Sequence, residues 1–152
     1  MIVFCDLDGT VSDNSHRQGF IQSTKKDWDS FYNPELIVKD PPINQAIRGL
    51  KRLMDQQGLL LYFLTGRPEK TRNATLQWLR LNVPWGEHIP LLMRPDGDFR
   101  KADIYKEEHI QKVHTLYPSK VKVFIDDDTR NIEMYQRLGL ILKAPECWEH
   151  LL

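Results

Sequence analysis

Short apolar runs alternate along this chain with stretches in which apolar residues recur every three or four positions. The first pattern fits strands and the second fits helices, so the alternation predicts an α/β chain around a parallel sheet. Ile2 to Cys5 reads as the first strand. Pro41 and Pro42 open a helix striped by Ile43, Ile47, Leu50 and Met54, with Gly58 as its stop. Leu59 to Leu64 is unbroken apolar sequence, as expected of a central strand covered on both faces. Pro68 suits a first helical turn, and Leu76 and Leu79 mark the inner side of the helix it begins. Leu91 to Met93 is a short third strand, and a helix starting near Asp103 carries Ile104, Ile110 and Val113. Val121 to Ile125 is a fourth strand. Ile132, Tyr135 and Leu138 then stripe a helix ended by Gly139, and Leu140 to Leu142 is a fifth strand.

The rhythm stops between Val11 and Asp40, where Trp28, Phe31 and Tyr32 sit among Lys25, Lys26, Asp27 and Asp29. A strandless stretch of this size leaving a strand end is usually functional. It is expected to form a small cap or flap, at about 12–40, on one domain spanning 1–152. A surface helix whose aromatics pack on the core is the plainer reading of the same residues.

Composition narrows the function. Lysine plus arginine equals aspartate plus glutamate at 21 each, giving a formal net charge of zero. That excludes coating of long nucleic acid by bulk charge, but not a local basic groove around one phosphate. No apolar run approaches the roughly 20 residues of a membrane helix, and aspartates interrupt the N-terminal run, so neither membrane nor signal peptide is expected. Cys5 and Cys147 lack metal-type spacing and read as packed free thiols of a cytoplasmic protein. The five histidines show no ligand spacing, and no feature points to a protein partner.

Three polar clusters each follow a predicted strand: Asp6-Leu7-Asp8-Gly9-Thr10, Thr65-Gly66-Arg67 and Asp126-Asp127-Asp128. In a parallel sheet such clusters meet on one edge, where ligands bind. Crowded carboxylates repel, and Mg2+ with its preference for oxygen relieves that repulsion. Asp6 and Asp126 are the expected ligands, with Asp127 close behind. Asp8, two residues after Asp6, places a second carboxylate on the same face, which gives one group to attack phosphorus and one to handle the proton. Gly9 permits a tight turn and Thr10 can hydrogen-bond the loop. Thr65 and nearby backbone N–H groups can donate to phosphate, and Arg67 offers a planar fork. A cation near the transferring group is expected from Lys106, with Lys101 the alternative.

In this order and spacing the clusters resemble the four motifs of the haloacid dehalogenase superfamily: Asp6 to Thr10, Leu64 to Arg67, Lys106, and Ile125 to Asp127. The resemblance implies a three-layer Rossmannoid α/β fold and an aspartyl-phosphate intermediate. Asp6 would attack, and Asp8 would protonate the leaving oxygen and then activate water. Thr65 and Lys106 would hold the phosphoryl group, and Mg2+ would sit on Asp6, the Asp8 carbonyl and Asp126. Asp8 is present where dehalogenases usually lack it, which favours phosphoryl chemistry. A narrower similarity, through Leu92 to Arg94, Gly97 to Lys101 and Phe124 to Gly139, is to the phosphatase domain of phage-type polynucleotide kinase-phosphatase. It implies removal of 3′-phosphates, with Arg17 and Arg67 at the phosphate. Asp128 stands where that family usually has arginine, and Ala102 stands at an acidic position. No GxxxxGK[ST] loop is present, so no kinase half is expected in this sequence.

Two enzymatic readings follow. One is a phosphatase on a 3′-phosphorylated nucleotide or nucleic-acid end, with Trp28, Phe31 or Tyr32 stacking a base and Arg17, Arg67 and Arg94 gripping phosphate. The other is a phosphatase on 5′-nucleotides or other small phosphomonoesters. A third reading, a non-catalytic phospho-acceptor, is disfavoured because receiver domains resemble the reverse order, with the adjacent acidic pair early.

Overall fold

The computed structural model describes residues 1–151. Five strands, β1 (Ile2–Cys5), β2 (Leu60–Pro68), β3 (Leu91–Arg94), β4 (Lys122–Asp126) and β5 (Leu140–Lys143), form one sheet in the order β3-β2-β1-β4-β5. Every pairing is parallel. The helices are α1 (Ser15–Gln18), α2 (Trp28–Phe31), α3 (Pro34–Ile37), α4 (Asn44–Met54), α5 (Arg72–Asn82), α6 (Ala102–Leu116), α7 (Ile132–Leu138) and α8 (Cys147–Leu151).

Strand alternation divides the interior into two cores. Val3, Cys5, Leu61, Phe63, Val123 and Ile125 point to the side where α4, α5 and α8 supply Leu50, Trp78 and Trp148. Ile2, Phe4 and Phe124 point the other way, onto Ile110 of α6 and Tyr135 of α7. The result is helix, sheet, helix, in three layers. Phe124 stacks on Phe4 and Tyr135, with centroids 5.4 and 4.5 Å away. Such aromatic pairs add about 0.5–1.5 kcal/mol beyond their burial.

The structure shifts some expected boundaries. α4 begins at Asn44 because Pro42 is held extended by a bridge to Ser12, and it ends at Met54. Gly58 instead sits in the following turn with φ of 77°, a conformation that suits glycine. Pro68 is the last residue of β2, not the first of a helix: its ψ of 152° keeps it extended, and a 3-10 turn at Glu69–Thr71 intervenes before α5. α8 was not apparent from periodicity, being only five residues long. It docks through Trp148, whose indole N–H donates to the Thr10 carbonyl at 3.1 Å. A Cβ on Gly49 would meet that ring at 2.8 Å, so glycine is what lets α4 and α8 approach.

Between β1 and α4 the chain forms α1, α2 and α3. Phe31, Tyr32 and Ile37 pack against Ala74 of α5, while Trp28 stays 43% exposed. Cys5 and Cys147 are buried free thiols in one core. Among the described residues no helix is long and apolar enough to cross a membrane.

Candidate active site

Parallel strands put all their C-terminal ends on one edge, and β1 lies between β2 and β4. Asp6 directly follows β1, Asp126 ends β4, and Thr65, Gly66 and Arg67 lie in the last part of β2, where its register against β3 shifts. The loop after β1 turns back sharply, with the N–H groups of Thr10, Val11 and Ser12 all donating to the Leu7 carbonyl. Gly9 sits in it at φ of 75°, and a Cβ there would collide with the Asp127 carboxylate.

Carboxylate oxygens of Asp6, Asp126 and Asp127 lie within 4.8 Å of one another. The buried Lys106 ammonium, carried on α6, reaches Asp126 at 2.9 Å and Asp6 at 3.3 Å. Asp126 is further fixed by the Tyr135 hydroxyl at 2.7 Å, by Asn131 at 3.3 Å and by the Asp128 backbone N–H at 2.9 Å. Asp127 is tied to Thr10, whose Oγ1 accepts its backbone N–H and donates to its carboxylate. Burial pushes the Asp6 carboxyl well above the usual range; Lys106 opposes this, and Asp126 and Asp127 reinforce it. Asp127 is pushed up to about 6 by burial and the Asp126 charge. Burial works against the Lys106 ammonium, yet Asp126 and Asp6 outweigh it and hold its pKa well above the ordinary lysine value. Three carboxylates thus face one ammonium, leaving two formal negative charges among oxygen-only donors. That set fits a hard divalent cation.

Asp8 belongs to a different cluster. Its carboxylate accepts from Arg67 Nη2 at 2.7 Å and Arg17 Nη2 at 2.8 Å. Both arginines are fully buried, and both also bind Asp40, at 2.6 Å from Arg17 and 3.0 Å from Arg67. Ser12 and His16 donate to or pair with Asp40, and Arg67 Nη1 donates to Thr75. Burial raises the Asp8 carboxyl, but Arg67 and then Arg17 outweigh it and leave its pKa below the usual value.

This placement changes several sequence expectations. Arg17 and Arg67, expected at the phosphate, have their guanidinium groups in the interior, fastened to Asp8 and Asp40. The Asp8 carboxylate faces those arginines and stands outside the cluster of Asp6, Asp126 and Asp127. The ammonium beside Asp6 is that of Lys106, whereas Lys101 is exposed at the α6 N-cap. Thr65 is buried and its hydroxyl accepts the Arg67 N–H at 3.2 Å. Gly66 lies under Tyr105, Arg94 stacks on Tyr32, and Trp28 stacks on Tyr32 while meeting Phe31 edge-on. Asp128 turns away to Arg130, at 2.7 Å, so it adds no carboxylate to the acidic cluster. Ala102 opens α6. Asp40 and Tyr135 were missed. Neither had a signal in the sequence: Asp40 read only as the end of the strandless segment, and Tyr135 read as core.

The pattern described as "Polynucleotide kinase PNKP phosphatase domain" matches residues 1–146. The chain belongs to this family. It is therefore a phosphatase domain of the haloacid dehalogenase-like hydrolases, and solved folds agree. A chain of the "Pnkp1/Rnl/Hen1 complex" is 24% identical with a TM-score of 0.70, over 94% of this chain and 44% of that one. A chain of the "Pnkp1/Rnl/Hen1 RNA repair complex" is 23% identical with a TM-score of 0.65, over 94% and 42%. This PNKP-type domain thus spans less than half the length of those two proteins. A "haloacid dehalogenase-like family protein SP0104 from Streptococcus pneumoniae" is 15% identical with a TM-score of 0.65, over 93% and 83%.

Proposed function

We propose that this domain is a magnesium-dependent phosphomonoester hydrolase that works through an aspartyl-phosphate on Asp6 and removes 3′-phosphates from nucleic-acid ends or nucleotides. The observation that carries the mechanism is the opposite treatment of two carboxylates two residues apart. Asp6 sits with Lys106 among other acids, and Asp8 is held by two arginines.

Asp6 and Asp126, with Asp127 and the Asp8 carbonyl, would hold the cation, which when bound offsets repulsion between a phosphate dianion and the attacking carboxylate. An Asp6 carboxylate oxygen attacks phosphorus, and the ester P–O bond breaks with its electron pair leaving on the sugar oxygen. Lys106 and the Thr65 hydroxyl hold the non-bridging oxygens. Asp8 protonates the leaving oxygen, then takes a proton from the water that attacks phosphorus and releases Asp6. The arginines favour ionised Asp8, which suits the second step. For the first, Asp8 must carry a proton, and Arg17 and Arg67 act by positioning it rather than by gripping substrate. The segment at about 12–40 serves as the cap of a single domain, with exposed Trp28 as a stacking platform at its edge.

Membership of the PNKP phosphatase family and fold likeness to a chain of an RNA repair complex support a nucleic-acid end as substrate. Two buried free thiols support a reducing, cytoplasmic setting. Mg2+-dependent phosphate release from a 3′-phosphorylated oligonucleotide, compared with nucleoside 5′-monophosphates, tests the substrate. Turnover of the oligonucleotide is expected. Turnover of the 5′-monophosphates alone overturns the 3′-end assignment.

A further inference from the structure

Two tyrosine hydroxyls converge on Gly66 without taking part in either charge cluster. Tyr105, one residue before Lys106 on α6, is 3% exposed, and Tyr32, just after α2, is 9% exposed. A Cβ placed on Gly66 would lie 3.1 Å from the Tyr105 hydroxyl and 3.6 Å from that of Tyr32. Any side chain at this position would fill the space between them. Their rings are buried, while the two hydroxyl oxygens stay open to solvent and available to a ligand. The enclosed polar atom without a partner at this place is Arg94 Nε, and such atoms are ordinarily satisfied.

Arg94 completes the alcove. Its guanidinium stacks over the Tyr32 ring at 5.4 Å, and its Nε is buried without an acceptor. Burial raises both phenols, so they remain protonated donors near neutral pH. Two O–H groups and a guanidinium, none bonded to a carboxylate, suit an anion better than a base edge. Thr65 and Lys106 are assigned to the transferring phosphoryl, and Tyr105, Tyr32 and Arg94 are an additional set of donors beside them.

We infer that Tyr105, Tyr32 and Arg94 form a subsite above Gly66 for a second phosphate of the substrate, the 5′-phosphate of the same 3′-phosphorylated nucleotide. This rests on the phosphatase reading above and deepens it. The subsite would let the enzyme favour a chain end, whose last nucleotide carries a phosphate on both sides, over a free nucleoside 3′-phosphate.

The test compares a nucleoside 3′,5′-bisphosphate with the 3′-monophosphate, in wild type, Tyr105→Phe and Tyr32→Phe. Wild type is expected to prefer the bisphosphate in kcat/KM. Each Phe variant, losing a hydrogen bond to a charged group, is expected to lower that preference about tenfold, mainly through KM. Thermal melts confirm that the variants fold. An unchanged preference ratio, or equal losses on both substrates, overturns the subsite. Calorimetric binding of the two ligands to Asp6→Asn, with and without Tyr105→Phe, decides the matter independently of turnover. Absence of phosphatase activity in wild type overturns the function reading, while a bisphosphate preference in binding that Tyr105→Phe erases would still uphold the subsite.

Discussion

Two charge clusters, each mostly buried, lie side by side at the rim of the sheet, and they are built on opposite principles. Around Asp6 three carboxylates share one ammonium. Around Asp8 two carboxylates share two guanidinium groups. The first is left short of positive charge and the second is internally balanced. The same residue type, displaced by two positions, therefore meets a raised pKa in one place and a lowered one in the other. A net-charge deficit marks where something must arrive. A balanced network marks where geometry must be kept.

The difference is broken most severely at Asp6. Asp6→Asn keeps the size of the side chain but removes the nucleophile, and phosphatase turnover is expected to fall by about 10⁴- to 10⁶-fold. Phosphate release by purified protein checks this, and retention of more than a few per cent contradicts the nucleophile. Asp8→Asn should cost about 10²- to 10⁴-fold through lost proton transfer. It should also leave two buried arginines sharing Asp40 alone, so its melting temperature should drop as well.

The balanced cluster is isolated by Asp40→Asn. Asp40 is buried and pairs with both Arg17 and Arg67. Removing one partner of a buried ion pair typically costs about 3–5 kcal/mol. A loss of that size in denaturant titration is expected. A loss below about 1 kcal/mol would mean that Asp8 alone balances the arginines, the usual worth of an exposed pair.

The unbalanced cluster responds to its missing charge. Mg2+ at 100 times its dissociation constant should add about 2.7 kcal/mol to stability, and Asp126→Asn should abolish that gain in thermal melts. The smallest expected effect is on pH. Asp127 has a folded pKa near 6, above the usual carboxylate value near 4. Its ionisation therefore weakens the metal-free fold above pH 6, and that penalty is relieved as pH falls towards 4. In chelator, wild type should gain stability between pH 7 and 5 relative to Asp127→Asn. Saturating Mg2+ should remove the difference.

Much of this was legible in sequence because the relevant signals are local. Apolar runs bounded by Asp6, Thr65 and Asp126 placed three polar loops at strand ends, and parallel topology carried them to one edge. Lys106 was reachable from its position one turn into a helix. The arginines were not legible in the same way. Arg17 and Arg67 look like surface phosphate grips until Asp40, between the two in the chain, is found between them in space. A pairing of that kind depends on where α1, the approach to α4 and the end of β2 meet, and no periodicity encodes it. Pro68 was misplaced for a simpler reason: proline's fixed φ serves a strand end as well as a first helical turn.

The strand order carries a consequence for a chain made from its N-terminus. β1, the middle strand, pairs with β2 on one side and β4 on the other. Some sixty residues separate the arrival of those two neighbours on the ribosome. During that interval the half-built sheet ends in Ile2–Cys5, four residues that are all buried in the finished fold. An open apolar border of this kind recruits other strands readily. The same placement that sets Asp6 between its two sources of help thus leaves the nascent chain adhesive until β4 emerges to cover it.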